Sequence, residues 1–487
     1  MLLFKVADRV TGIVSVLILA RLLVPADFGL VAMAMSVVAL LELINGFSFD
    51  VALISRREIT KEHYYTAWTL NIIAALLIAL VMVAASPLAA TFYREPRLVE
   101  ILCVLAMAAI VQGFENVAIV DFRRNLQFRM EFIFLTAKRV ATFSVVIPMA
   151  YILRSHWALV FGILSGRLIG VFLSYTMHPF RPRISLKAYP DLLGFSRWML
   201  LNNLITFLKE RLPEFVIGRI SGPTSVGLYS MGSELAQLPT SEVVAPINRA
   251  ILPNFASAVQ DGHAMGAQYL RVVSVIALII VPAGVGLSAI ADLAVPLLLG
   301  IEWLEAVPVV EILALHGVLV AVQSIGFSVM LASHRPDIPA KLNTIHVVAL
   351  LSFLILFTPL WGIVGSALAY LSVGALMAPI NMAFVLRILH VPPKTAIAQI
   401  WRPITASIFM GLSVTAIFPT DLAHSSNSSR LLELALALLS GAMLYATLIY
   451  LLWRVSGSPL GGETELSSWI SKRRQMKWCS EQPPSPR

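Results

Sequence analysis

The sequence predicts an all-α membrane protein of about 14 spanning helices, built as two pseudo-symmetric six-helix bundles followed by two further helices. Three observations carry this expectation. First, 58% of the 487 residues are hydrophobic and only 13% charged, with a mean hydropathy of +0.83. A soluble chain is about 45–50% apolar and about 25% charged. Second, the apolar residues gather into runs of roughly 20, the length that crosses a bilayer as a helix. Third, the chain repeats itself. In Arg21–Met33 and Arg219–Met231 the Arg, Pro, Gly-Leu and Met fall in register at an offset of 198, and Trp157–Val160 is echoed by Trp361–Val364 at 204. A duplicated apolar chain is the mark of transporters with a substrate path between two similar bundles.

Taken in order, the predicted spans are Lys5–Leu23, Phe28–Phe49, Tyr65–Thr91, Val99–Val120, Glu131–Leu153, Trp157–Met177 and Arg197–Ile220. Then come Val226–Leu252, Leu270–Leu299, Val307–Leu331, Ala340–Leu360, Ile363–Leu386, Ile397–Phe418 and Leu431–Leu452. The first is short and carries Lys5, Asp8 and Arg9, so it is expected to lie partly in the interface. It runs on into a second apolar segment, which is not the pattern of a cleaved signal peptide. The ninth is long and interrupted by Pro282 and Asp292.

Loop charge tests this count, because cytoplasmic loops are rich in Lys and Arg. With a cytoplasmic N-terminus, 27 of the 36 basic residues fall on the cytoplasmic side, Lys138 and Arg139 counted among them with the loop after span four, and six on the other. The net charge of +9 therefore reads as membrane orientation and not as a nucleic-acid surface. Both termini are expected in the cytoplasm. Six spans precede the second copy, so the two copies share one orientation, the parallel kind of repeat. The expected division is residues 1–177 for the first bundle, 178–196 for an amphipathic cytoplasmic linker and 197–388 for the second bundle. Two more helices fill 389–455, and 456–487 form a mobile cytoplasmic tail.

Charged groups inside spans are costly unless they face a cavity or a partner. Span seven is the richest, with Asn202, Asn203, Lys209, Glu210, Arg211 and Glu214. At about 100° per residue, Asn203, Glu210 and Glu214 share one stripe. Arg211 precedes Glu214 by three residues and can pair with it. The carboxylates Glu210 and Glu214, four apart, are candidates for ion or proton exchange. Arg167 stands alone in span six, positioned to hold an anion or to pair with Glu115 or Asp121. Glu42, Asn45 and Phe49 follow helical spacing on span two with Asp50 at its end, and Glu234 and Glu242 lie on span eight. Such stripes serve as helix–helix contacts as readily as substrate contacts. Arg21 and Arg219 are read as stabilising helix C-termini, and Pro25–Gly29 and Pro223–Gly227 as shaping tight turns. Cys103 and Cys479 are too few for a disulfide framework or a zinc site. No GxxxxGK loop and no paired-His motif occurs, so neither a self-contained ATPase nor a metal site is indicated.

Ala20–Leu30 resembles the ARLL-x-P-x-DFGL element that follows the first helix of polysaccharide exporters of the PST (Wzx) type. Phe122–Arg129 resembles that family's basic stretch after helix four, and Gly218–Ser230 with Leu238-Pro239 its middle signature. The resemblance covers nearly the whole chain and implies the MOP flippase superfamily, alongside MATE drug exporters and lipid II flippases. It implies translocation of undecaprenyl-diphosphate-linked oligosaccharide repeat units across the bacterial inner membrane, for exopolysaccharide, capsule or O-antigen. Arg167, Asn202, Asn203, Lys209 and Arg211 are then the expected substrate-cavity residues, and Glu210 and Glu214 the ion-coupling ones. The expected partners are the lipid-linked oligosaccharide, membrane lipids, and the polysaccharide polymerase and export machinery. No cofactor is expected beyond coupling to H+ or Na+. The alternatives are a membrane-bound polymerase or O-antigen ligase, against which the short outer loops argue, and a MATE-like drug exporter.

Overall fold

The computed structural model describes residues 2–43, 53, 59–189, 197–258, 262–333, 335, 337–418, 427–459 and 461–464. Among these there are helices and no strands. They are α1 (Leu2–Leu22), α2 (Pro25–Glu42), α3 (Lys61–Tyr93), α4 (Leu98–Gly113), α5 (Val120–Arg124), α6 (Phe128–Leu153) and α7 (Trp157–Met177). There follow α8 (Arg197–Ala258), α9 (Gly262–Ala289), α10 (Ala291–Leu298), α11 (Val307–Ala332), α12 (Asp337–Leu389), α13 (Pro393–Ile417) and α14 (Asn427–Val455).

Every predicted span has its helix, but two pairs run together. At 1.5 Å per residue, α8 is roughly 93 Å long and α12 roughly 80 Å, each more than twice a hydrocarbon core of about 30 Å. Each is broken once at a glycine with left-handed φ: Gly222 at φ 80° and Gly362 at φ 58°. At the offsets of the sequence echoes, the first break corresponds to Val24, between α1 and α2, and the second to Ala158, at the start of α7. Among the described residues nine helices are long and apolar enough to cross a membrane, or ten if a bent pair counts as one. That pair is α4 with the segment Val117–Arg124, bent by 67°. The ninth span divides into α9 and α10, and the tenth begins after a 3-10 stretch at Ile301–Ala306.

The chain forms two compact units. The first holds residues up to Met231 together with Leu298–Trp303 and Leu354–Ser366. Within it α3 packs on α4, α4 on α7, and α6 on α7. The α6–α7 contact uses small residues, the means by which membrane helices approach closely. A Cβ on Gly162, Gly166 or Gly170 would lie 2.1, 2.7 or 2.6 Å from Val146, Thr142 or Lys138.

The repeated turns also lie in this unit, against each other. A Cβ on Gly29 would stand 1.7 Å from the Pro223 carbonyl oxygen, and one on Gly227 1.9 Å from that of Pro25. Arg21 Nε reaches the Leu298 carbonyl at the end of α10 at 3.5 Å, and Arg219 Nη1 donates to the Phe92 carbonyl at the end of α3 at 2.9 Å. Both arginines thus sit on helix C-termini, as expected, though of other helices than their own. Trp303, fully buried, donates to the Ala20 carbonyl and meets Phe28 edge-on.

In the second unit α9 packs against α11 and α13, and α13 against α14. Tyr269, Val273, Ile276, Ile325 and Val385 are among its buried core. Arg402 on α13 is 2% exposed and donates from Nε to Glu463 at 2.9 Å. Gly462 N donates to Ser274 Oγ at 2.7 Å. The described start of the expected tail is therefore fastened to this unit through Gly462 and Glu463.

Candidate functional site

The first unit contains a cavity of about 500 Å³. Its origin is the bend after α4. Gly113 brings α4 onto α3, where a Cβ would stand 2.5 Å from the Ala75 methyl. Asn116 then ends the helical run. Its Oδ1 accepts from Ala118 N at 3.1 Å and its Nδ2 donates to the Phe180 carbonyl at 2.9 Å, starting the 3-10 turn Val117–Ile119. The diverging chain leaves space between α2, α3, α4, α6 and α7.

Among the described residues six charged side chains line that space: Glu42, Glu115 and Glu131 against Arg123, Lys138 and Arg167. Each cation has its own carboxylate. Arg167 Nη2 lies 3.5 Å from Glu42 Oε1, Lys138 Nζ 3.4 Å from Glu115 Oε2, and Arg123 pairs with Glu131. Arg167 thus pairs with Glu42; neither of the acids considered for it, Glu115 and Asp121, is its partner. A pair at about 4 Å is worth about 4 kcal/mol at an effective dielectric of about 20, and water at the more exposed Glu42 and Arg123 weakens it. Asn71 and Gln112 add amides, while Ala75, Ile78 and Val117 add apolar wall.

Of the residues expected to line the substrate cavity, Arg167 is in this lining, and so are Glu42 and Glu115, named in the sequence as a helix-stripe acid and a candidate partner of Arg167. Asn203, Lys209, Glu210, Arg211 and Glu214 are not among the residues that form it. On α8, Arg211 Nη1 reaches Glu214 Oε1 at 3.2 Å, as the spacing required. Glu214 is 6% exposed, and its Oε2 has no hydrogen-bond partner among the described residues. Glu210 is exposed, and Asn203 and Lys209 are half-buried. The side chains of Asn202 and Glu242, and the residues Asn45, Phe49 and Asp50, lie outside what the structure describes; Glu234 is exposed.

Lys138 was the residue sequence reasoning missed. It counted there as a loop cation with Arg139, yet α6 starts at Phe128, so Lys138 lies ten residues, roughly 15 Å, along the helix. The signal was its place inside the predicted span Glu131–Leu153.

The linker after α7 is extended over residues 178–186 and fastened to one face of α3. Ser185 Oγ donates to Glu62 Oε2 at 2.8 Å, Ser185 N to Thr69 Oγ1 at 3.1 Å and Ala188 N to Thr66 Oγ1 at 3.2 Å. Phe180 stacks on Tyr65. Asp121 accepts from Tyr64 and faces His178 Nε2 at 3.6 Å. Partial burial holds the His178 imidazole below its ordinary pKa.

Residues 18–308 match the model of a family described as polysaccharide biosynthesis protein. The lipopolysaccharide biosynthesis protein WzxC of Escherichia coli K12 is 24% identical over 410 residues, 82% of each chain. The teichuronic acid biosynthesis protein TuaB of Bacillus subtilis is 24% identical over 84% of this chain and 85% of its own. The succinoglycan biosynthesis transport protein ExoT of Rhizobium meliloti is 28% identical over 62% of each. Among solved structures, the lipid II flippase MurJ in an inward closed conformation superposes with a TM-score of 0.76 at 14% identity, covering 93% of this chain and 99% of that one. An inward-facing MATE multidrug transporter of the MOP superfamily gives 0.61 at 14% identity, covering 78% and 94%.

Proposed function

The chain belongs to the polysaccharide biosynthesis protein family, and from that premise we propose that it is a flippase. It carries undecaprenyl-diphosphate-linked oligosaccharide repeat units across the bacterial inner membrane for a surface polysaccharide. The observation that supports this most is a polar, charge-lined cavity inside an apolar helical bundle whose fold is that of MOP transporters. Leaving the hydroxyls and diphosphate of such a head group without partners in hydrocarbon costs several kcal/mol per group. A carrier must offer polar groups to the head while the lipid tail stays among lipids.

The six-six-two division, with both termini cytoplasmic, fits this work, since two parallel repeats can alternate access by rocking. Arg167 belongs to the path through its place in the cavity. Asn202, Asn203, Lys209 and Arg211 on α8 form a second polar stretch of it. Glu214, buried with one oxygen that has no partner among the described residues, and Glu210 are the candidates for coupling to H+ or Na+. The protein performs no covalent chemistry in this reading and hands its cargo to polymerase and export machinery.

The test is a deletion strain of the producing bacterium. Complete lipid-linked units should accumulate on the cytoplasmic face, surface polysaccharide should vanish, and the wild-type gene should restore it. Arg167→Ala, Lys209→Ala and Arg211→Ala are then ranked for restoration. Units that reach the outer face but stay unpolymerised would sink the reading.

A further inference from the structure

We infer that the cavity at the α4 bend is a saccharide subsite, holding the uncharged, hydroxyl-bearing part of the head group while the diphosphate binds outside it. The inference rests on the flippase reading above and adds which part of the substrate this cavity takes.

The charge arrangement excludes the obvious alternative, a phosphate site. Arginines that grip phosphate present forked donors free of competing carboxylates. Among the described residues three cations meet three carboxylates, and that part of the lining is neutral overall. Lys138 and Arg167 already face Glu115 and Glu42 at 3.4 and 3.5 Å. A diphosphate entering would have to draw both cations away and lie beside two newly unpaired carboxylates, like charges at close range.

A sugar asks for neither. Each hydroxyl gives one hydrogen bond and accepts others. Carboxylates accept, ammonium and guanidinium groups donate, and the amides of Asn71 and Gln112 do both. These all face one space, on six different helices and the turn after α4. Ala75, Ile78 and Val117 supply apolar wall for the C–H faces of a pyranose ring. A cavity of about 500 Å³ lies within the usual range for small-molecule sites.

The test uses the full chain in nanodiscs and two probes: the host's repeat-unit oligosaccharide, freed of lipid and phosphate by mild acid, and inorganic diphosphate. Equilibrium dialysis should show the free oligosaccharide binding, with diphosphate failing to compete. Gln112→Ala should weaken that binding about tenfold, as for a lost hydrogen bond. The double variant Lys138→Gln, Glu115→Gln keeps donors and acceptors without charge, and should bind the saccharide within about threefold of wild type. Competition by diphosphate, or loss of saccharide binding in the double variant, overturns the subsite. So does a protein that restores surface polysaccharide in the deletion strain yet does not bind the free oligosaccharide; the flippase reading then stands. A wild-type gene that fails to restore polysaccharide overturns the flippase reading and the subsite with it.

Discussion

Arg402 and Glu463 show what a single buried charge demands. At 2% and 9% side-chain exposure, neither can be left alone. Glu463→Ala should destabilise by about 3–5 kcal/mol, whereas replacing both by methionine should cost far less, because no unpaired charge remains. Thermal unfolding of the purified protein in detergent reads both, and a double variant no better than the single would refute the pairing argument. The contact between Gly29 and Gly227 makes a different demand. Gly29→Ala and Gly227→Ala each force the same two backbones apart, so the double variant should lose little more than either alone. At this scale the sequence was only partly legible. Arg211–Glu214 follows from a spacing of three on one helix. Arg167–Glu42 does not, since 125 residues separate the partners and only the packing of α2 on α7 chooses between acids.

Elements were the most legible level, because a run of about 20 apolar residues has few other fates. Each predicted span has a helix, and the tight turn expected at Pro223 is met by a break at Gly222. The 67° bend after α4 was missed: Val99–Val120 reads as one apolar run, and the bend depends on Asn116 finding the Phe180 carbonyl across the fold. With it went the cavity. Packing of α6 on α7 is testable at Gly166, where a leucine would meet Thr142; overpacking of this kind costs about 1–3 kcal/mol, seen as a lower unfolding temperature. The linker offers a pH test. Phe180 N donates to His178 Nδ1 at 3.2 Å, which requires that nitrogen unprotonated. The His178 pKa lies below its ordinary 6.5, so the unfolded or detached linker binds the proton more readily. Attachment is therefore strongest above about pH 6.5 and weakens as pH falls through and below it. The protection factors of the amides in residues 178–189, that is, exchange relative to the intrinsic rate at each pH, should fall between pH 7.5 and 5.5, and His178→Gln should flatten that dependence.

For the whole molecule, composition alone placed the chain in a membrane, and the repeat placed it among duplicated carriers. Orientation is open to direct test. Reporters fused after Ser456 should be active only in the cytoplasm, and those placed in the α1–α2 and α7–α8 connections should differ in side. Moving Lys138 and Arg139 from the loops into α6 lowers the cytoplasmic count of basic residues from 27 to 25 against six, which leaves the asymmetry intact. The meeting of the two turns was not legible, since a repeat in sequence says nothing about where its copies touch. Its form is telling. Gly29 meets Pro223, Gly227 meets Pro25, and each of the two arginines crosses to the far copy's third helix. Equivalent residues that contact one another reciprocally make an isologous patch, the signature of a twofold axis. In a pair of identical chains one substitution would alter both sides of such a patch at once; in this chain, where the two sides have their own sequences, each can be changed alone.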